Sequence, residues 1–402
     1  MAERIIFHID VNNAFLSWTA VYLLKHGYKQ DIRKIPAIIG VDEETRHGIV
    51  LAKSPIAKKY GVVTAEPIYQ ARKKCPNLKV FKPNNYEYYQ EKSTELMNYL
   101  KNYSPDLEQF SIDECFLDMT GTKYLYNNYI DLAYKIKDDI KTKFGYTVNI
   151  GIANNKLCAK MASDFEKPDK VHTLFKNEIK EKLWPLPVDD LFMCGKKTSE
   201  ELHKLHINTI KDLSEASDKL LEKYFQAQGR YLKQSAFGID ESPVITKREE
   251  RQSISTSKTL SHDETNENKL EEILFSQVED VTRELREKKL FTKTVSVIYK
   301  DNKFRKYSYQ ETFDNSTNIT KEIITKIKEM FKKSYKGEPI RLIGVRLLNL
   351  SKEKNIQISL FDKMVNEEQN IQLTIDEINK KFGESVIMPA SIKTFIDKNK
   401  EK

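Results

Sequence analysis

Apolar and β-prone residues run from Ile5 to Ile9 and end on Asp10, which predicts a buried strand that carries a carboxylate to its C-terminal edge. Asn12 and Asn13 punctuate, and apolar positions then recur at helical spacing from Phe15 to Leu24. Strands are predicted at Ala37–Val41, after Pro36, and at Gly48–Ala52. A short helix follows, with Ser54 as its cap and Pro55 at its first position, stopping at Gly61. The pattern is helical again from Tyr86 to Tyr103, closed by Pro105. Leu107–Met119 reads as two strands about a tight connection at Ser111-Ile112-Asp113-Glu114, followed by a long amphipathic helix, Leu125–Phe144, and a strand, Thr147–Ala153. That order suits a small open sheet covered by helices on one face. Beyond Lys167-Pro168 the chain turns to short helices from Lys176 to Phe237. Pro243–Ser257, charged and poor in apolar residues, reads as a linker; a mixed α/β region to about Leu350 and a polar tail complete the chain.

With 402 residues, 39% hydrophobic and 31% charged, the chain has enough apolar material for two to four packed domains. No stretch approaches the ~18 consecutive apolar residues of a spanning helix, and Met1–Asp10 reads as a charged lead into a strand rather than a signal peptide. Cys75, Cys115, Cys158 and Cys194 are far apart, with neither zinc-ligand nor disulfide-framework spacing. A cytoplasmic protein with no membrane association is therefore expected. Lys plus Arg exceed Asp plus Glu by 67 to 59, a formal charge of +8. A polyanionic partner would explain that excess, as would a solvated lysine surface.

The chemistry worth testing is acidic. Phosphoryl transfer from a nucleoside triphosphate uses two hard cations about 3.5 to 4 Å apart, one at the attacking hydroxyl and one at the leaving pyrophosphate. Asp10 at a strand end, with Asp113 and Glu114 in a strand-flanked turn, supplies the oxygen ligands if the two strands are neighbours. Adjacent residues on a strand point to opposite faces, so Asp113 and Glu114 share a site only where the backbone twists. On residue type alone the pair also reads as a solvated turn.

Asp10-Val11-Asn12-Asn13-Ala14-Phe15-Leu16-Ser17 and Ser111-Ile112-Asp113-Glu114 resemble the two metal-site motifs of the Y-family DNA polymerases. Asn85-Tyr86-Glu87-Tyr88-Tyr89, Asp118-Met119-Thr120-Gly121, Gly151-Ile152-Ala153 and Lys167-Pro168 extend the resemblance, which runs in order from residue 4 to about 350. The Asp-Val-Asn start and Ala52-Lys53-Ser54 resemble the UmuC-like branch more than the DinB-like one.

The resemblance implies a multidomain α/β and α+β chain shaped like a right hand, with a ferredoxin-like palm (1–15 and 78–170) and small fingers (16–77). A helical thumb with a helix-hairpin-helix (171–239), a linker (240–256), an α/β little finger (257–350) and a tail (351–402) follow. The implied function is error-prone, template-directed DNA synthesis in lesion bypass during the damage response. Deoxynucleotides are added to a primer 3′ end with two Mg2+ ions, for which Mn2+ substitutes. Asp10, Asp113 and Glu114 are the catalytic residues, and the Val11 carbonyl joins them as metal ligand. Phe15 falls where an aromatic packs under the sugar and rejects a 2′-hydroxyl, although it also suits a core position at a helix start.

Triphosphate contacts that many members make through Thr, Tyr and Arg fall on Ala52, Pro55 and Lys58. Lys58 keeps the charge without the bidentate fork, and Lys167 matches a second phosphate-binding lysine. Residues 189–213 resemble a helix-hairpin-helix that offers backbone N–H groups to DNA phosphates around Gly195, Lys196 and Lys197, with Met193 where the usual first Gly stands. A plain helical hairpin fits the same pattern. Lys300, Lys303, Arg305 and Lys306, and Lys332, Lys333, Lys336 and Arg341, suit a duplex-binding little finger, with Lys300 and Arg305 the chosen contacts; a solvated face is the alternative. Gln357-Ile358-Ser359-Leu360-Phe361 resembles the bacterial sliding-clamp peptide, with Leu360 and Phe361 as apolar anchors and Gln357 setting register, while an edge strand would look similar. The implied partners are primer-template DNA, deoxynucleoside triphosphates and the clamp, bound by a monomer. Two other classes compete: a DNA- and clamp-binding accessory protein of the same fold with a weakened site, and a nucleotide cyclase, which has no use for the hairpin, the basic region or the peptide.

Overall fold

A computed structural model describes residues 4–41, 48–122, 124–126, 128–247, 250–352, 365–383 and 386–387. The chain divides into two compact units, one of Met1–Glu43 with Gly48–Arg248 and one that holds Glu249–Lys402.

The first unit begins with β1 (Ile6–Val11) and α1 (Ala14–Lys25), followed by β2 (Ala37–Gly40), β3 (Val50–Lys53), α2 (Pro55–Lys59), α3 (Ile68–Lys74) and β4 (Lys79–Phe81). β3, β2 and β4 form a three-stranded sheet in that order. As expected, Ser54 starts α2 by accepting from the Ala57 N–H, and the same oxygen accepts from Ala37 N on β2, so one hydroxyl ties helix to sheet. Next come α4 (Tyr86–Leu100), β5 (Leu107–Gln109), β6 (Glu114–Asp118), α5 (Tyr129–Phe144), β7 (Val148–Ala153), α6 (Lys156–Asp164) and β8 (Val171–Leu174). These strands and β1 make a five-stranded sheet in the order β5-β6-β1-β7-β8. β1 is antiparallel to both neighbours, and β7 pairs with β8 in parallel.

Period-2 alternation sends Phe7, Ile9 and Val11 into one core, shared with α4 and α5, while Ile6 enters another with Phe116 and α6. Helices thus cover both faces of this sheet, not one. The second face is available because Gly151 of β7 lets α6 approach: a Cβ there would lie 1.9 Å from the Ala159 carbonyl oxygen. α1 serves two cores, giving Trp18 to the large sheet and Leu16 and Ala20 to the three-stranded sheet. α5 starts at Tyr129 rather than Leu125 because the Asn128 side chain caps it, accepting from Ile130 and Asp131 N–H groups. Short helices α7 (Lys196–Lys204), α8 (Ile210–Glu215), α9 (Asp218–Phe225) and α10 (Ala227–Ala236) follow.

The expected linker, 240–256, is in large part structured. Asp240 accepts from Leu157 N, the Ser242 and Pro243 carbonyls accept from Arg4 and Lys156, and Ile245 N donates to Glu108. A strand begins already at Ser253. The second unit comprises β9 (Ser253–Glu264), α11 (Glu267–Glu287), β10 (Phe291–Asp301), β11 (Lys306–Thr317), α12 (Thr320–Ser334), β12 (Ile340–Ser351) and α13 (Val365–Phe382). Its antiparallel sheet runs β11-β10-β12-β9, with α11 and α12 packed on one face. In the tail, α13 is held by Arg286 of α11, whose guanidinium grips Asp376 at 2.6 and 3.1 Å and donates to the Asn318 carbonyl. No helix among the described residues is long and apolar enough to cross a membrane.

Candidate active site and nucleic-acid face

β1 delivers Asp10 to the sheet edge directly opposite Glu114 in the β1–β6 register, and opposed residues of an antiparallel pair share a face. Asp113, in the turn before β6, is tied to the same edge, because Val11 N donates to its carbonyl at 3.0 Å. The Val11 side chain is 2% exposed in the core, so only its backbone is free for site chemistry. The three acidic residues expected to act together therefore occupy one sheet edge, but their side chains part. Asp10 takes an ion pair with Lys167 at 3.0 Å, Asp113 accepts from the Ser111 hydroxyl at 2.6 Å, and Glu114 meets Lys160 at 2.5 Å and His8 at 3.0 Å. Among the described residues no three His, Cys, Asp or Glu side chains are gathered as a metal-binding group.

The electrostatics explain this arrangement. Burial pushes the Asp10 pKa above the usual carboxylate range, and Lys167, which also serves Asp164 at 2.8 Å, offsets it only in part. Burial works against Glu114 too, yet hydrogen bonds from His8 and Lys160 outweigh it and hold its pKa down to about 2. A desolvated carboxylate at Asp10, only partly offset by Lys167, beside two further acidic residues is a donor set that fits hard divalent cations. Lysine ammonium groups stand against two of the carboxylates.

His8 and Ser163 were not legible as site residues. His8 is fully buried, with Nδ1 2.8 Å from Ser163 Oγ and Nε2 on Glu114. Ser163 Oγ also lies 2.8 Å from the Lys160 carbonyl, and with a carboxylate facing Nε2 the neutral His8 ring carries its proton at Nε2. Burial pulls the His8 pKa down, and the facing carboxylate opposes that pull. A second buried network sets the loop that bears Lys167. Asn12 donates to Asn149 at 3.1 Å and accepts from Thr147 and from Asp169 N; Asn149 donates to the carbonyls of Ser163 and Glu166. Asn12 and Asn149 thus fasten the segment on either side of Lys167 to the strands that carry Asp10.

Phe15 is half-buried, edge-on to Tyr89 with ring centroids 4.8 Å apart. Tyr89 is fixed by Thr19 and Asn84, and Tyr88 donates to the Trp18 carbonyl, so the tyrosines of α4 hold α1 and the aromatic it presents. Lys58 lies exposed on α2, where its charge adds to burial in lowering the pKa of Lys53. Ala52 is 7% exposed and packs with Leu16 and Ala20 in the core under α1, a place for a methyl group and not for a phosphate ligand.

Gly195 caps α7, with Lys196 and Lys197 exposed in its first turn, and open space surrounds the position a Gly195 Cβ would occupy. Met193 adopts a left-handed backbone, φ 67, so the turn forms without the glycine expected there. In the second unit the face away from α11 and α12 mixes hydroxyl and basic side chains with Ile298, Leu342 and Leu348. Its cross-strand rows are Lys306–Lys300–Leu342–Thr259, Ser308–Ile298–Gly344–Ser257, Gln310–Ser296–Arg346–Ser255 and Thr312–Thr294–Leu348–Ser253. Hydroxyls and cations on a flat sheet suit phosphate oxygens. Lys300 belongs to this face, and Arg346 and the serine row of β9 join it as residues not anticipated. Arg305 instead bonds buried Asp301 through Nε at 2.6 Å, although 61% of its side chain remains exposed. Gln357, Leu360 and Phe361 lie outside the described residues.

Residues 9–164 match the impB/mucB/samB family, and residues 251–360 match the impB/mucB/samB family C-terminal domain. A Clostridium acetobutylicum protein named DNA polymerase IV is 45% identical, over 96% of this chain and 97% of its own length. A Bacillus subtilis protein named DNA polymerase IV 1 is 32% identical, over 96% and 92%. A solved Y-family DNA polymerase chimera, Dbh-Dpo4(243-245)-Dbh, superposes with a TM-score of 0.73 at 24% identity, over 88% of this chain and all of that one.

Proposed function

Because the chain belongs to the Y-family of translesion DNA polymerases, through the impB/mucB/samB family it matches along both units, we propose that it extends DNA primers across damaged templates by two-metal-ion catalysis. As a member of that family it depends on divalent metal. Mg2+ is the ion expected in the cell, with Mn2+ as a substitute. Asp10, Asp113, Glu114 and the Val11 carbonyl would hold the cations, which when bound supply charge for the attacking 3′-hydroxyl and the leaving pyrophosphate. Lys58 and Lys167 would meet the triphosphate, and Phe15 would exclude the ribose 2′-hydroxyl.

The observation that carries the reading is the β1–β6 register: Asp10 faces Glu114 while the Asp113 carbonyl is bonded to Val11. Three acidic residues on one edge, one of them desolvated with a raised pKa, form the kind of site that cation chemistry uses. The second unit would bind duplex DNA on its hydroxyl-bearing face through Lys300, Arg346 and Lys306, and the first unit would meet DNA phosphates at Gly195, Lys196 and Lys197. Gln357, Leu360 and Phe361 would engage the sliding clamp of a cytoplasmic replication system, with the polymerase acting as a monomer.

The test is a running-start extension assay on undamaged and abasic templates, with Mg2+, with and without clamp. Extension through the abasic site, stimulated by clamp and reduced to the unstimulated level by Leu360→Ala with Phe361→Ala, is the expected result. Absence of any primer extension alongside normal DNA binding would leave an accessory protein of the same fold.

A further inference from the structure

The tip of the β10–β11 hairpin holds a bulky aromatic where the backbone favours glycine. Phe304 N donates to the Asp301 carbonyl at 3.0 Å, and Asp301 N donates to the Arg305 carbonyl at 3.1 Å, which closes a three-residue loop. In such a loop the last residue takes the left-handed conformation usually filled by Gly. Here that residue is Phe304, at φ 64. A left-handed backbone is costly for a side chain of this size, and an outlier of this kind is a reason to look for a function.

The loop is held by hydrogen bonds to both its backbone and its neighbours. Asp301 is fully buried, and its carboxylate accepts from Lys303 N and Arg305 N at 2.9 Å each and from Arg305 Nε at 2.6 Å. Asn302 N donates to the Pro339 carbonyl at 3.0 Å, pinning the tip to the segment that leads into β12. On this fixed tip Phe304 is 60% exposed. The Arg341 guanidinium lies over its ring, 4.8 Å from the centroid, and the Lys300 ammonium lies 5.7 Å away. Lys303 is exposed on the same tip, while Asp301, the acidic group of the loop, is already countered by Arg305.

An exposed ring under a guanidinium, with an ammonium group beside it and a left-handed backbone, matches the chemistry of a single-stranded nucleic-acid platform. We propose that Phe304 and Arg341 stack an unpaired nucleobase of single-stranded DNA, with exposed Lys303 meeting a flanking phosphate. A duplex has no free base to offer such a ring, so the tip would recognise the unpaired template and not the double-stranded product. The proposal rests on the polymerase reading, since it takes the template as its ligand.

The experiment uses the full chain with Phe304→Gly and Phe304→Trp. Binding is read by anisotropy on primer-template with a normal single-stranded overhang, with an abasic overhang, and on blunt duplex. Phe304→Gly is expected to raise the unfolding midpoint of the second unit, because glycine relieves the left-handed position, yet to weaken binding to the normal overhang about tenfold, in keeping with one lost stacked base. The wild-type preference for normal over abasic overhang should vanish in that variant. Phe304→Trp should keep the preference, and its fluorescence, taken as the difference from wild type, should be quenched by the normal overhang and not by the abasic one. Equal affinity of wild type and Phe304→Gly for all three DNAs overturns the proposal. So does a loss of clamp-stimulated synthesis in Phe304→Gly at unchanged DNA affinity, which would make the tip a protein contact. Wild-type primer extension is measured in the same samples: its absence refutes the polymerase reading, and its presence beside a neutral Phe304 refutes only the platform.

Discussion

Asp10 and Glu114 stand opposite each other in the register of β1 and β6, yet Asp10 turns to Lys167 and Glu114 turns to Lys160 and His8. Two carboxylates on one face of adjacent strands repel, and each is relieved by a separate lysine. The arrangement keeps the acidic edge folded while leaving its charge exchangeable, since an ammonium group on a flexible stem can yield to a stronger cation. Lys167 is already shared with Asp164, so its withdrawal from Asp10 leaves it a partner.

Among the described residues no lysine is paired with Asp113, whose Oδ1 accepts instead from Ser111. Asp113→Asn removes charge and keeps shape. Primer extension with Mg2+ should fall by about 10³-fold, the scale of losing several kcal/mol of charge stabilisation at a metal site. Duplex affinity, read by anisotropy, should stay within about twofold. Equal extension by variant and wild type would refute the metal role.

His8 supports the fold as well as the site. His8→Leu keeps volume in the buried slot but withdraws the partner of Glu114 Oε2 and of Ser163 Oγ. Ser163 retains its bond to the Lys160 carbonyl, and Glu114 retains Lys160, so the loss should be moderate, about 1 to 3 kcal/mol for the first unit. Urea unfolding followed by the first unit's tryptophans, Trp18 and Trp184, checks this. A neutral result would mean that Lys160 alone satisfies Glu114.

The strands were legible because alternation of apolar and polar residues is a local signal, and β1, β6 and β7 lie where it put them. The acidic triad was legible by resemblance alone. His8, Asn12 and Asn149 were not, because a polar residue buried on a strand looks like any break in alternation until its partners, up to 157 positions away, are known. The serine row of β9 had a readable period of two, Ser253, Ser255, Ser257 and Thr259, but serine beside charge also reads as loop, and it was assigned in part to a linker.

Gly151 offers a direct test of the second helical face. A Cβ there would lie 1.9 Å from the Ala159 carbonyl oxygen and 2.5 Å from Ser163 N, both backbone atoms of α6 that cannot swing aside. Gly151→Ala should therefore cost about 3 kcal/mol. It should also reduce extension, because α6 carries Lys160 and Ser163. Hydrogen exchange is expected to rise in α6 and β7 before the rest of the first unit.

Glu279 makes the second unit's stability depend on pH. Burial raises its pKa to about 7, with Asp280 adding to the shift and Arg283 and Arg286 opposing it. A carboxyl whose folded pKa exceeds its unfolded value binds its proton more tightly when folded. Its contribution to stability is thus full below about 4.5 and is lost as pH climbs to about 7. Glu279→Gln should flatten that slope and raise stability at pH 8 by on the order of 1 kcal/mol, allowing for solvent screening of a half-buried group. Exchange protection of α11 at pH 5 and pH 8 is the measurement, and an unchanged slope in the variant would assign the pH response elsewhere.

Phe15 has two roles that one substitution separates. Its ring meets Tyr89 edge-on at 4.8 Å, so Phe15→Ala should destabilise the first unit by up to about 3 kcal/mol, less than a fully buried ring would cost. If the ring also excludes the ribose 2′-hydroxyl, ribonucleotide insertion should rise relative to deoxynucleotide insertion. That rise should appear as a higher kcat/KM for the ribonucleotide, an effect that loss of stability alone would not give, since unfolding lowers both insertions together. Phe15→Leu, which fills much of the slot, separates the two further: stability should largely recover while discrimination stays low. Unchanged sugar selectivity in Phe15→Ala, at a temperature where the variant is folded, would assign Phe15 to packing between α1 and α4.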